Sequence, residues 1–237
     1  MLAALVQTYN DVVAPLLFRG GPVVAVLLVL SVVAVAIIIV KIVQFYLAGV
    51  YAGPRSRAGT IDPILELVRA GDFAAAQSQV AKQKGPLARL MESGIVAHWR
   101  DHRRDTEIEE ELGRVGGNQL VGMQSYLRWL EVIGNIAPLL GLLGTVMGMI
   151  TAFQQLEIAG SKVDPSVLAG GIWEALLTTQ VGLMVAIPVV TVLNLLENRL
   201  EQYRQDMRDV SARLMQALQA AVKQADANAS ANAQAAQ

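Results

Sequence analysis

The chain has no cysteine, only 2 histidines among its 237 residues, and few aromatic side chains. Without thiols there is no disulfide framework, no thiolate nucleophile and no cysteine-ligated metal. Charge is scarce as well: 16% of residues are Asp, Glu, Lys or Arg, and they cancel to a net charge of -1. That balance offers a nucleic-acid backbone no electrostatic footprint, so no nucleic-acid partner is expected. Strand-like alternation is missing too, and apolar residues recur at helical spacing wherever they are periodic, which makes the class all-α. What the chain has in quantity is hydrophobic residues, 54% of the total, gathered into blocks rather than dispersed.

Three blocks stand out. No residue is charged from Val23 to Val40, from Val132 to Leu156, or from Ala175 to Leu196. At about 1.5 Å rise per residue, roughly 20 such residues cross a hydrocarbon core. The chain therefore reads as an integral membrane protein with transmembrane helices over 21–47, 129–157 and 166–197. The last two are joined by a short turn over 158–165, with Gly160, Ser161, Lys162, Asp164 and Pro165, and form an antiparallel hairpin. Pro22 suits the first turn of the first span. Lys41 is expected to stretch toward the headgroups, with Phe45 and Tyr46 at the interface.

Ahead of the first span, Leu2, Leu5, Val6, Tyr9, Val12, Val13 and Leu16 share one helical face, an amphipathic helix over 1–20 suited to lying in an interface. No basic segment precedes an apolar core there, so a secretory signal is not expected. Arg19 alone precedes the first span and Lys162 alone marks the hairpin turn, whereas Arg and Lys are plentiful from Arg55 to Arg128 and again from Arg199 to Lys223. The positive-inside rule then puts the N-terminus and turn outside, in the periplasm, and the rest in the cytoplasm. The cytoplasmic region, 48–128, begins with a loop holding Gly53, Pro54 and Gly59. A helical hairpin follows, broken at Gly71, then a helix from Pro86, then an acidic run from Asp105 to Glu111 that opens a helix continuing toward Trp129. After the third span, Leu196, Leu200, Tyr203, Met207, Val210, Leu214, Ala217 and Ala221 repeat at four- and three-residue steps. This seam predicts a helical extension over 198–223, packed on sister helices or on the middle region. The Ala, Asn and Gln of 224–237 read as a disordered tail.

The membrane segments also carry chemistry. On the second span Ala137, Gly141, Gly144, Thr145, Gly148 and Ala152 fall on one face, and small residues at that spacing let another helix come close. Pro138 kinks this helix or exposes a carbonyl, and Pro188 stands in the third span. The third span brings Glu174, Thr178, Thr179 and Gln180, with Gly171, Ala175, Gly182 and Ala186 as small neighbours. An ionisable group within a span faces protein or water and is a functional candidate, so Thr145, Thr178, Thr179 and Glu174 are read as lining a path. The alternative places Glu174 at the outer interface and the glycines in a plain packing seam. No carboxylate lies deep in any span, so a proton path here needs an acid from a partner helix. His98 and His102 flank Trp99 where a zinc protease needs glutamate, so a solvated cluster is expected and no metal. No catalytic constellation falls within the membrane, so no enzyme and no cofactor are expected.

The runs E-V-I-G-N-I-A-P-L-L-G-L-L-G-T-V-M-G-M-I (Glu131 to Ile150) and G-I-W-E-A-L-L-T-T-Q-V-G-L-M-V-A-I-P (Gly171 to Pro188) resemble the MotA/TolQ/ExbB proton-channel family. Three spans and short length resemble its ExbB members most, TolQ next. The resemblance implies a homopentameric ring in the bacterial inner membrane, its second and third spans lining a central pore. It also implies a single-span ExbD- or TolR-like partner with a transmembrane aspartate and a TonB- or TolA-like energy transducer. By motif position Thr145 and Thr179 match pore-facing threonines and Glu174 a third-span glutamate. Thr178 and Gln180 are bulkier and more polar than the small residues common at those places. The implied activity is conversion of proton-motive force, or a sodium gradient, into motion; a passive membrane scaffold is the competing expectation.

Overall fold

Helix formation follows the blocks read above, with four differences. The structure is a computed structural model that describes residues 21–50, 54–83, 85–159 and 165–235. The amphipathic helix expected over 1–20 and the turn residues 160–164 lie outside the described residues. Among those described, every regular element is a helix: α1 (Gly21–Leu47), α2 (Pro54–Arg69), α3 (Phe73–Ala81), α4 (Pro86–Trp99), α5 (Asp105–Gln124), α6 (Leu127–Ala159) and α7 (Pro165–Ala235). Three stretches, in α1, in 105–158 and in α7, are long and apolar enough to cross a membrane.

The chain divides into two units. The apolar unit holds residues 21–40 and 126–196, that is, most of α1, all of α6 and the first part of α7. Its core is lean, built on Val24, Leu27 and Ala34 from α1, Ile133 and Ala137 from α6, and Ala175, Val181 and Val189 from α7. Val29, Val32 and Ile39 of α1 stay exposed in the single chain, as do Leu139, Leu142 and Phe153 of α6. A helix apolar on its outer face is what a bilayer accepts.

The polar unit holds residues 41–125 and 197–235 and packs as water-facing helices do, around large side chains. Every residue of the α7 seam from Leu200 to Ala221 is buried. Its partners are in the same chain: Leu214 lies over Gly94 of α4, where an added Cβ would come within 2.7 Å of it, and Met207 lies over Gly116 of α5. Gly71 (φ +78) turns the chain after α2, and Asp72 caps α3 by accepting the Ala75 N–H at 3.0 Å.

The first difference is that α2 starts at Pro54, inside the expected loop. Proline suits a first turn, where its missing N–H costs nothing, although Pro63 further on does remove one helical bond. Second, the helix entered at Asp105 does not run on toward Trp129. It breaks after Gln124, where Ser125 is extended (ψ 143) and Tyr126 takes φ 67 before α6 begins at Leu127. Third, α7 continues through Ala235 where a disordered tail was expected. Alanine is the best helix former, and an alanine-rich run propagates a helix already nucleated.

The fourth concerns Lys41. It does not reach outward: it is 0% exposed, and its Nζ donates to the Gln44 Oε1 (2.8 Å) and the Met123 carbonyl (3.0 Å). Gln44 in turn donates to the Gly122 carbonyl at 3.4 Å. The last carbonyls of α5 lack partners in their own helix because the chain breaks at Ser125, and these two side chains supply donors to them. An ammonium at a helix C-terminus also meets the negative end of its dipole.

Candidate functional site

α6, from Gly134 onward, and the start of α7 meet along small residues in a steady antiparallel register. Gly134 lies against Val190, Gly141 against Gly182, Gly148 against Ala175 and Gly171 against Ala152. A Cβ added at Gly182 would stand 2.7 Å from the Ala137 carbonyl oxygen, and one at Gly171 2.5 Å from the Ala152 Cβ. The sequence-predicted packing residues Gly141, Gly144, Gly148 and Gly182 are all buried in this seam. Pro138 is half-buried and Pro188 exposed, within α6 and α7 respectively.

Close approach lets hydroxyls reach across. Thr179 donates to the Gly141 carbonyl of α6 at 3.1 Å. Thr178, 2% exposed, sits over Gly144, and its one proton goes to the Ala175 carbonyl (2.7 Å) with Gly141 farther away (3.3 Å). Thr145, one turn past Gly141, donates to the Leu142 carbonyl at 2.6 Å. Thr145 and Thr179 are both half-buried, so each keeps oxygen lone pairs open beside the seam. The structure thus separates the two adjacent threonines: Thr178 is enclosed between the helices, and Thr179 borders the surface.

Glu174 lies elsewhere. Five residues before Thr179, it stands about 140° away around α7. Its Oε1 is 3.0 Å from where a Cβ at residue 21 would be, beside the first residue of α1. Gly21 has φ +61, so that position favours glycine by conformation as well as by space. The carboxylate meets the end of α1 where N–H groups lack helical partners and the dipole is positive. It is therefore level with one end of a membrane helix, not at mid-span.

Lys41 was missed as a buried polar group. The signal available was the pair Lys41 and Gln44, one turn apart at the end of an otherwise aliphatic span. In the polar unit, His98 is half-buried against Phe73 (ring centroids 5.2 Å apart), and burial lowers its pKa more than Asp105 raises it. Glu107 and Arg104 form a 2.6 Å ion pair that holds the carboxylate below its ordinary range. No three His, Cys, Asp or Glu residues among the described ones are grouped to hold a metal ion.

Comparison with known proteins agrees with the small-residue hairpin. The chain is 39% identical over 103 residues to "Biopolymer transport protein exbB1" of Vibrio cholerae, covering 43% of this chain and 44% of that one. It is 36% identical over 137 residues to "Biopolymer transport protein ExbB" of Salmonella typhimurium, 57% of this chain and 50% of the relative. A "Tol-Pal system protein TolQ" of Haemophilus influenzae matches at 34% over 88 residues, 37% of this chain and 38% of that protein. The chain thus spans half or less of the length of these relatives. The family model for the MotA/TolQ/ExbB proton channel family matches residues 82–209, more than half the chain, and carries α4 to the middle of α7 with the whole hairpin in it. This membrane protein belongs to the MotA/TolQ/ExbB proton channel family.

Proposed function

We propose that the chain is the channel-forming subunit of an ExbB-like complex in the bacterial inner membrane, coupling proton-motive force to outer-membrane active transport. The observation that carries the reading is the pair of half-buried hydroxyls, Thr145 and Thr179, set beside a close-packed seam within the uncharged stretches 132–156 and 175–196. Threonine oxygens accept and relay hydrogen bonds but hold no transferable charge, so the titrating acid comes from an ExbD- or TolR-like single-span partner with a transmembrane Asp. Five copies form the ring around it. Protonation removes that acid's preference for the threonine-lined side and permits it to move within the ring, and a TonB- or TolA-like transducer takes up the motion. Thr178 serves the seam, and Glu174 stands at the outer end, beside the start of α1. The N-terminus faces the periplasm and the C-terminus the cytoplasm.

The test is complementation in cells lacking their own copy, reading gradient-driven uptake alongside co-purification of the partner. Thr179→Val is expected to abolish uptake while the partner still co-purifies. Uptake retained, with the outer membrane still tight, when Thr145 and Thr179 are both replaced by Val would overturn the channel reading in favour of a passive scaffold. A second reading, a TolQ-like role in envelope maintenance, is favoured by the TolQ match. It predicts that the variants leave uptake intact and make the outer membrane leaky.

A further inference from the structure

Gln180 is the one long polar side chain between Glu174 and Asn194 on α7, and the proposed path makes no use of it. It is exposed in the single chain, and its carboxamide has no protein partner among the described residues. Thr178, two residues back, faces Gly144 of α6, so Gln180 points roughly 160° away from that seam. Its neighbours on this outer face are Trp173, Leu176, Leu183, Met184 and Ile187, all exposed. The outer face of α1 differs: Val26, Val29, Val32, Val35 and Ile39 present nothing but hydrocarbon. Lipid suits the α1 face, whereas an unpaired carboxamide in hydrocarbon forfeits the hydrogen bonds it makes in water and is strongly disfavoured there. The α7 face therefore has a protein neighbour.

Depth identifies that neighbour. The hairpin register puts Gly144 against Thr178 and Gly141 against Thr179 and Gly182, so Gln180 is level with residues 141–144 of α6. Copies of one chain inserted in the same orientation keep this depth. The polar group that a second copy offers there on α6 is Thr145, whose proton is committed to the Leu142 carbonyl and whose oxygen remains free to accept. An α7-to-α7 contact pairing Gln180 with itself is isologous and stops at a dimer, whereas α7 against the α6 of the next copy is heterologous, the contact type from which a ring is built.

We propose that Gln180 donates from its carboxamide to the Thr145 hydroxyl of a second copy of this chain, so that each threonine site is completed by a side chain from its neighbour. The inference rests on the channel reading for the ring and for the importance of Thr145, but the contact itself does not require protons to move. The contact fixes the direction of the Thr145 hydroxyl and keeps a polar group at the subunit boundary in mid-span.

The cysteine-free chain allows a direct test. Two differently tagged full-length copies, Gln180→Cys and Thr145→Cys, are co-expressed in native membranes and treated with a short bifunctional maleimide. A dimer band carrying both tags, lost when either cysteine is omitted, is expected. Replacing Thr145→Cys by Val29→Cys on α1 should give no such band. A band from Gln180→Cys alone at full yield, meaning α7 meets α7, overturns the proposal. So does the absence of any band while a lipid-soluble maleimide labels Gln180→Cys. Because the band reports the neighbour whether or not uptake occurs, a cross-linked pair alongside retained uptake and a tight outer membrane in the Thr145→Val, Thr179→Val double variant would sink the channel reading alone.

Discussion

One helix, α7, is packed in two ways. Over 171–190 it meets α6 through Gly171, Ala175, Thr178 and Gly182, and added side chains there would collide with backbone or with short side chains. Over 200–221 its Leu200, Tyr203, Met207, Val210 and Leu214 are all buried, with Leu214 over Gly94 of α4 and Met207 over Gly116 of α5. The difference follows from solvent. In water, burying a large apolar side chain contributes about 1.5–3 kcal/mol. In a bilayer lipid tails are as apolar as leucine, so helices gain by close backbone contact and by hydrogen bonds such as Thr179 to Gly141. A single 71-residue helix thus changes its packing chemistry along its length.

The largest test of this contrast is at Leu214, 0% exposed over Gly94. Leu214→Ala should cost the polar unit roughly 2–5 kcal/mol, as buried leucine truncations do. It should be read as earlier loss of protection in hydrogen exchange across α4 and α5, with protection of 171–190 unchanged. Equal loss in both segments would show that the two packings do not respond separately.

The converse substitution tests the other segment. A Cβ at Gly144 would stand 2.5 Å from Thr178 Oγ1 and 2.6 Å from its Cβ, so Gly144→Ala requires the hairpin to part. The cost is about 1–3 kcal/mol, read as a lower unfolding temperature in mild detergent. Thr178→Gly in the same chain should restore much of the loss because the clash is local. Failure of that rescue would mean that the Thr178 hydroxyl contributes more than the space it fills.

The sequence made the spans, the hairpin and the seams legible because each is a long periodic pattern. At Gly141, Gly144, Gly148 and Gly182, which share the small-residue spacing, an added Cβ would stand within 3.1 Å of the facing helix. What periodicity did not reveal was specific to one contact. Thr178 and Thr179 are identical side chains on adjacent positions, and only the rotation of α7 against α6 decides which is enclosed. The break at Ser125 and Tyr126 lies in a sequence with no proline, and its stabilising donors, Lys41 and Gln44, come from far away in the chain. The helix at 224–235 was obscured for another reason: composition that cannot build a core can still propagate a helix.

The smallest expected effect separates the units by pH rather than by size. His98 lies in the polar unit beside Phe73, and burial lowers its pKa from the ordinary 6.5, with His102 acting in the same direction and Asp105 against it. A group lowered on folding binds its proton more readily in the unfolded chain, so the stability it contributes is present above 6.5 and is lost as pH falls through the folded value. No histidine lies within 171–190. Lowering pH through this window should therefore weaken hydrogen-exchange protection in α3 and α4 before it touches the hairpin, and His98→Phe should remove that pH dependence while keeping the ring contact with Phe73. A His98 resonance that titrates at or above 6.5 would show that Asp105 outweighs burial, reversing the sign of the slope.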